Sequence, residues 1–281
     1  DAPRREAFVA VDTVRTGGFA DLELVARDVV VPVNGIDQLD VETFGGTGVV
    51  RFGDGAELAV PGALVIEATR IDTTGPDGAV GAGAAALEAG YLRLGSFVVD
   101  DNLYQDASVT SATHVNGQRL EAFAGGAGTL TARAGLIDLF PGLRPAGLAR
   151  LELSSDGDVR LQASPEQYVT YFDPDASIPA QLLLQGDLTI DAERIYPTTL
   201  SEYAIETDGR LRIGAMGTND TPPLSALGAV DLRAAELEIA GRVLAPGGRI
   251  RLGDPEAPAE RVTLDDGALV SVAFDPERAV P

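Results

Sequence analysis

The chain contains no cysteine, no tryptophan and no lysine, with one histidine (His114) and one methionine (Met216). Without cysteine there is no disulfide framework, no thiolate zinc site and no cysteine nucleophile. No Ser or Asp near His114 forms a recognisable triad pattern. No run approaches 18 apolar residues, so the expectation is no membrane insertion by a helix. Aromatics make up only 5% of the chain against 45% hydrophobic residues overall. Such a chain cannot fill a wide core with large rings; it needs a narrow one lined by Leu, Ile, Val and Ala.

Positive charge is also scarce. Twenty-one basic residues, all Arg, face 43 acidic ones and leave a net charge of −22. Nucleic-acid binding needs a basic footprint, and so does docking on anionic lipid; both are excluded as expectations. The plain reading is a hydrated, self-repelling surface, with calcium association as the sharper alternative. The use of Arg alone matches a GC-rich genome and needs no chemical reason. The chain begins at Asp1 without a Met or a signal-peptide pattern, which reads as an internal piece or a mature product.

What the chain does have is glycine, 33 residues of it, and a recurring phrase. Gly186-Asp-Leu-Thr-Ile190 is followed by Gly209-Arg-Leu-Arg-Ile213, Gly228-Ala-Val-Asp-Leu232, Gly248-Arg-Ile-Arg-Leu252 and Glu260-Arg-Val-Thr-Leu264. All read apolar–polar–apolar, at steps of 23, 19, 20 and 12 residues. A unit of about 20 residues is the mark of a solenoid.

The same rhythm runs through most of the chain. Phe8-Val-Ala-Val11, Leu22-Glu-Leu-Val25 and Val29-Val-Val-Pro-Val33 alternate, with turns at Gly17-Gly18 and Asn34-Gly35. Val49-Val-Arg-Phe52, Leu58-Ala-Val60 and Leu64-Val-Ile66 then make one coil with two tight corners. The Ala-rich 84–89 reads as a strand leading into Tyr91-Leu-Arg-Leu94, although alanine also favours a short helix. The pattern resumes at Gly128-Thr-Leu-Thr-Ala132, Leu136-Ile-Asp-Leu139, Leu151-Glu-Leu153 and Val159-Arg-Leu161. No helical stripe extends over twelve residues, so the fold expected is all-β: one parallel β-helix over 1–281. Loop excursions are expected around 100–123, the least periodic part, and around 164–180, where Pro165, Pro174 and Pro179 argue against central strands. The second excursion, with Tyr168-Val-Thr-Tyr-Phe172, is the expected variable binding surface; an aromatic-covered insertion is the plainer reading.

Stacked in register, the five phrases predict one inward column of Leu188, Leu211, Val230, Ile250 and Val262, with Ile190, Ile213, Leu232, Leu252 and Leu264 beside it. Thr189, Arg212, Asp231, Arg251 and Thr263 then form one outward column, open to ion pairs worth at most about 0.2–1 kcal/mol each. About eleven to thirteen coils at roughly 4.8 Å would make a rod of roughly 50–60 Å.

No motif commits the chain to chemistry. Gly81-Ala-Gly-Ala-Ala-Ala86 imitates a dinucleotide fingerprint, but no βα alternation surrounds it. Gly45-Gly-Thr-Gly and Gly125-Gly-Ala-Gly resemble the start of a calcium-binding nonapeptide without its Asp; they read as turns. Asp100-Asp101 and Asp265-Asp266 are candidate acid–base pairs for glycoside hydrolysis. Adjacent residues on a strand point to opposite faces, so neither is a ready-made dyad. Tyr196-Pro197 reads as a strand-ending corner where Tyr covers the core, and Pro222-Pro223 as a loop before the next coil. The residues assign no catalytic, cofactor-binding or metal site.

The coil sequences carry a resemblance. Gly128-Thr-Leu-Thr-Ala-Arg-Ala-Gly-Leu-Ile-Asp-Leu139 and Leu151-Glu-Leu-Ser-Ser-Asp-Gly-Asp-Val-Arg-Leu161 resemble coils of filamentous-haemagglutinin-like exoproteins. So do Ala84-Ala-Ala-Leu-Glu-Ala-Gly-Tyr-Leu-Arg-Leu-Gly95, Gly186-Asp-Leu-Thr-Ile-Asp-Ala-Glu-Arg-Ile-Tyr-Pro-Thr-Thr199 and Gly241-Arg-Val-Leu-Ala-Pro-Gly-Gly-Arg-Ile-Arg-Leu252. The resemblance spans about 20–272 and implies a right-handed parallel β-helix from a two-partner secretion substrate of a Gram-negative bacterium. It also implies export through an outer-membrane two-partner transporter, a place at the cell surface and, for many such proteins, adhesion to a host or bacterial receptor. It brings no catalytic residues or cofactor. The expected function is a non-catalytic structural and adhesive shaft. The alternatives are a carbohydrate-active β-helix enzyme and the stalk of a contact-dependent toxin delivery protein.

Overall fold

The computed structural model describes residues 10–26, 49–68, 70–95, 109–111, 114–115, 118–119, 121–163, 180–254 and 259–274. Its main sheet is parallel and winds around one axis, so that each strand meets the strand one coil earlier and one coil later. The chain is a parallel β-helix. Three faces surround the axis, and the first complete coil shows them in order: Val49–Phe52, then Ala56–Glu67 bent across two faces.

On the second face, eight residues stack in one column: Ala56, Ala85, Leu130, Leu151, Leu188, Leu211, Leu237 and Val262. The third face carries Leu22, Leu64, Leu92, Ile137, Val159, Ile195, Val243 and Val270 in the same way. The side-chain period of two puts these columns inside, and from Leu64 to Val243 on the third face each member is fully buried. Seven steps of roughly 4.8 Å give a stack of about 34 Å, shorter than the rod expected from a period of 20.

The register departs from the expectation in one instructive respect. Leu188, Leu211 and Val262 share a column, but Val230 and Ile250 belong to the first face, above Tyr203. The rung over Leu211 is Leu237, and the rung under Val230 is Tyr203. The strands Glu202–Ala215 and Ala229–Ile239 each turn a corner and therefore carry two triplets, one per face. Only the triplet that follows a glycine was visible as a repeat. One coil on the second face takes 23, 26 and 25 residues from Leu188 to Val262, and the step of 12 from Ile250 to Val262 crosses faces within a coil. Arg212 accordingly stacks on Glu238, while Asp231 stacks on Arg251.

Corners that bring rungs together require glycine. A Cβ on Gly135 would lie 2.8 Å from the Gly90 carbonyl oxygen, and one on Gly157 2.8 Å from that of Gly135. Among the described residues Tyr203 is the one large ring wholly inside, 1% exposed, with its hydroxyl donating to the Phe140 carbonyl at 3.0 Å. Burial pushes that phenol's pKa up.

Ala84–Leu94 is a strand, as expected. Val11, read as the end of a strand, instead opens a helix, Val11–Gly17, whose left-handed cap is Gly18. Val14 is the reason: it drops into the core above the first coil. Within the expected excursion at 100–123, short strands Val109–Ser111, His114–Val115 and Gln118–Arg119 form a separate antiparallel sheet. The 164–180 excursion lies outside the described residues up to Ala180, which opens the strand Ala180–Leu184. The coil containing Leu211 makes no strand on the third face. Its residues 216–228, with Pro222-Pro223, instead cross the outside of Arg194–Pro197, where Ser225 Oγ donates to the Pro197 carbonyl.

Candidate functional site

Among the described residues the inward columns fill the core with apolar side chains, and the polar groups gather on the outer wall. A densely hydrogen-bonded polar group there is built on the third face. Between the inward residues, Val65, Arg93, Asp138, Arg160 and Tyr196 form one outward column. Asp138, 2% exposed, accepts Arg160 Nε at 2.6 Å and Nη2 at 2.7 Å, Gln162 Nε2 at 2.8 Å and the Tyr91 hydroxyl at 2.9 Å. One coil on, Asp158 accepts Arg194 Nε at 2.8 Å and the Tyr196 hydroxyl at 3.0 Å. Arg194 also reaches the Thr221 carbonyl of the crossing loop.

Burial, then the hydrogen bond and charge of Asp138, push the Tyr91 phenol up to about 12. For Tyr196, burial followed by the Asp158 charge and hydrogen bond has the same result, about 12. Both phenols are therefore held neutral and donating. With four donors on Asp138, this cluster is a lock between rungs, and its acceptor capacity is used internally. Tyr196 does not cover the core as expected: Ile195 points in, and Tyr196 points out beneath the crossing loop.

The second face carries a lateral trough of about 520 Å³. Its floor is small side chains, Ala59, Ala86, Thr131 and Ser154, and its charged members are Glu57, Glu88, Arg133 and Glu152, with Met216 at one side. Glu57 and Glu88 are exposed, in water and outside any apolar pocket of the kind that builds a glycosidase acid. Arg133 Nη2 is held at 2.8 Å by Asp156. The trough crosses four rungs and suits an extended ligand lying along the axis.

Of the candidates expected from sequence, Asp265 and Asp266 lie exposed in the final turn, closed by Ala268 N–H donating to the Asp265 carbonyl. They are not brought to the trough. Asp100-Asp101 and Gly45-Gly-Thr-Gly fall outside the described residues. His114 is on the antiparallel excursion, opposite Ser111 and Arg119. Gly125 N–H donates to Gln185 Oε1 at 2.9 Å, a turn as expected. Gly81, at φ +77, packs against Gly147 in another turn. Among the described residues no three His, Cys, Asp or Glu side chains are grouped to hold a metal ion. No described helix is long and apolar enough to cross a membrane. Compared with protein-family models, curated proteins and solved structures, the chain matches none.

Proposed function

We propose that the chain is a non-catalytic, structural and adhesive shaft segment of a large secreted bacterial surface protein, of the filamentous-haemagglutinin-like kind. The observation that carries the reading is the pair of eight-rung columns, 56 to 262 and 22 to 270, inside one parallel β-helix. Such a stack is stiff along its axis and offers long lateral faces, which suits spacing and surface contact. The coil resemblance supplies the rest of the proposal: export through an outer-membrane two-partner transporter and a receptor on a host or bacterial surface. Beads coated with the chain should attach to cells well above albumin-coated beads, and deletion of 164–180 should remove that attachment. Equal attachment of chain and albumin beads across a panel of animal and bacterial cells would contradict the adhesive role.

The trough with Glu57, Glu88 and Glu152 favours one second reading, a carbohydrate-active enzyme. Release of reducing ends or unsaturated sugars from acidic glycans, lost in Glu57→Gln and Glu88→Gln, would replace the adhesive reading with it. No release from any glycan tested would eliminate it.

A further inference from the structure

With 43 acidic residues against 21 arginines, an arginine in this chain finds a carboxylate easily. Every other arginine whose side chain is described has one within 2.5 to 3.8 Å. Among the described residues Arg144 alone has none. It is not a loose surface side chain. Leu143 is fully buried, its N–H donating to the Gln181 carbonyl and its carbonyl accepting from Leu183, both at 3.0 Å. Residue 144 must therefore face outward on the first face. Its side chain is partly buried there, with the guanidinium over the Phe123 ring, 4.5 Å from the centroid. Among the described residues its one polar contact is Nη1 donating to the Glu121 carbonyl at 3.4 Å. Burial without a counter-charge pulls its pKa down.

Arg70, on the adjacent rung, stands over the same ring at 5.5 Å. Ala146 N–H donating to the Ile71 carbonyl at 2.9 Å holds the two rungs together. Arg70 shares its acid. Asp72, fully buried, is held through both oxygens by Arg51 at 2.6 and 2.8 Å, and Arg70 reaches one of them at 3.1 Å. Phe123 is fixed from the wall: the Ala124 carbonyl accepts from Gly147 N–H at 2.8 Å, and Gly125 N–H donates to Gln185 Oε1 at 2.9 Å. Gly125 and Gly126 lie so flat that a Cβ on them would come within 2.6 and 2.5 Å of backbone oxygens. Their outer side is exposed main chain. The pair sits on the side wall in mid-stack, with Val50 beyond Ile71 and Leu182 beyond Leu143, so coils added at either end leave it uncovered.

We infer that Arg144, with Arg70 beside it over Phe123, binds an isolated carboxylate on an extended peptide of another molecule. A guanidinium offers two parallel N–H donors that match the two oxygens of a carboxylate. The ring beneath holds that fork in place before the ligand arrives. The chain's net charge of −22 repels polyanions, while at physiological salt the field decays over about 8 Å. A single acid flanked by neutral residues is therefore the form that reaches the pair. The bare main chain at Gly125-Gly126 lets a second main chain lie alongside. This assignment holds whether or not the chain is adhesive.

The probe is acetyl-Gly-Gly-Glu-Gly-Gly-amide, titrated into the isotope-labelled full chain and followed by NMR. The Arg144 Nε–H resonance, identified by its absence from Arg144→Met, should shift and saturate. Should Arg144→Met not fold, Arg144→Lys lacks the same resonance and identifies it. The matched peptide with Gln in place of Glu should bind about tenfold more weakly, the loss of one charge-assisted pair. Arg144→Lys keeps the charge without the fork and should weaken the Glu peptide by about tenfold as well. Arg70→Met should weaken it by a smaller factor, and Arg150→Met, on an exposed arginine of the second face, should leave it unchanged. Equal affinity for the Glu and Gln peptides, or shifts at Arg144 no larger than at Arg150, overturns the inference. Tighter binding of glucuronate than of the peptide overturns the choice of a peptide, and tighter binding of sulfate overturns the choice of a carboxylate.

Discussion

Removing the carboxylate of Asp138 tests whether the third-face lock joins the rungs. Asp138 is 2% exposed and receives four hydrogen bonds, two of them from one guanidinium at 2.6 and 2.7 Å. Asp138→Ala strands the Arg160 charge, the Tyr91 hydroxyl and the Gln162 amide together. Breaking a fully buried ion pair costs about 3–5 kcal/mol. The Arg160 side chain is 34% exposed and recovers part of its hydration, so the loss should be about 2–3 kcal/mol. In thermal unfolding this is a drop of roughly 3–5 °C for a chain of this size. Arg160→Met alone should cost less, because Asp138 keeps two neutral donors. The double variant should fall short of the sum by about 1–2 kcal/mol, the signature of direct coupling. Additive losses, or less than about 0.5 kcal/mol for Asp138→Ala, would refute a structural role for the lock.

The remaining predictions follow from the same geometry. Tyr91 and Tyr196, each raised to about 12 against an ordinary 10, bind their protons more tightly folded than unfolded. Stability from them is complete below pH 10 and is lost as pH rises from 10 to 12. Melting temperatures across that window should fall less steeply in Tyr91→Phe/Tyr196→Phe, and an unchanged slope would contradict the linkage. Gly135→Ala drives a methyl against the Gly90 carbonyl at 2.8 Å and should destabilise by about 1–3 kcal/mol in urea titration. Leu237→Ala should cost about 2–5 kcal/mol, because Leu237 is 1% exposed. In the same column Val262→Ala, at 45% exposure, should cost under about 1 kcal/mol. Similar losses at the two positions would contradict the difference in burial along the column.

Much of this architecture is written in single triplets. Ile137-Asp-Leu139 and Val159-Arg-Leu161 each show an inward–outward–inward strand, and placing them one above the other yields the Asp138–Arg160 pair. The repeat with a leading glycine was legible because glycine marks the entry to a strand. Tyr203-Ala-Ile205 opens its strand with neither a leading glycine nor a polar middle residue, and Leu237-Glu-Ile239 follows a corner inside a bent strand. Spacing alone therefore merged two faces into one column. Chain distance along the sequence measures residues per coil only when the face is known, and the corner glycines recur on every face. The helix at Val11–Gly17 escaped because seven residues are too few for a periodic stripe. The trough was illegible for a related reason: Glu57, Glu88 and Glu152 come from three coils, brought side by side only by the register.

The register is the claim on which the faces, the lock and the trough all depend. The absence of cysteine makes it directly measurable, because any disulfide must be an engineered one. Neighbouring rungs hold paired Cα atoms within the span a disulfide bridges, while residues on different faces do not. Arg212→Cys/Glu238→Cys, outward partners on the second face, should cross-link on mild oxidation and show a mobility shift reversed by reductant. Arg212→Cys/Asp231→Cys should stay reduced under the same conditions. Cross-linking of the second pair and not the first would restore the single column and contradict the three-faced stack.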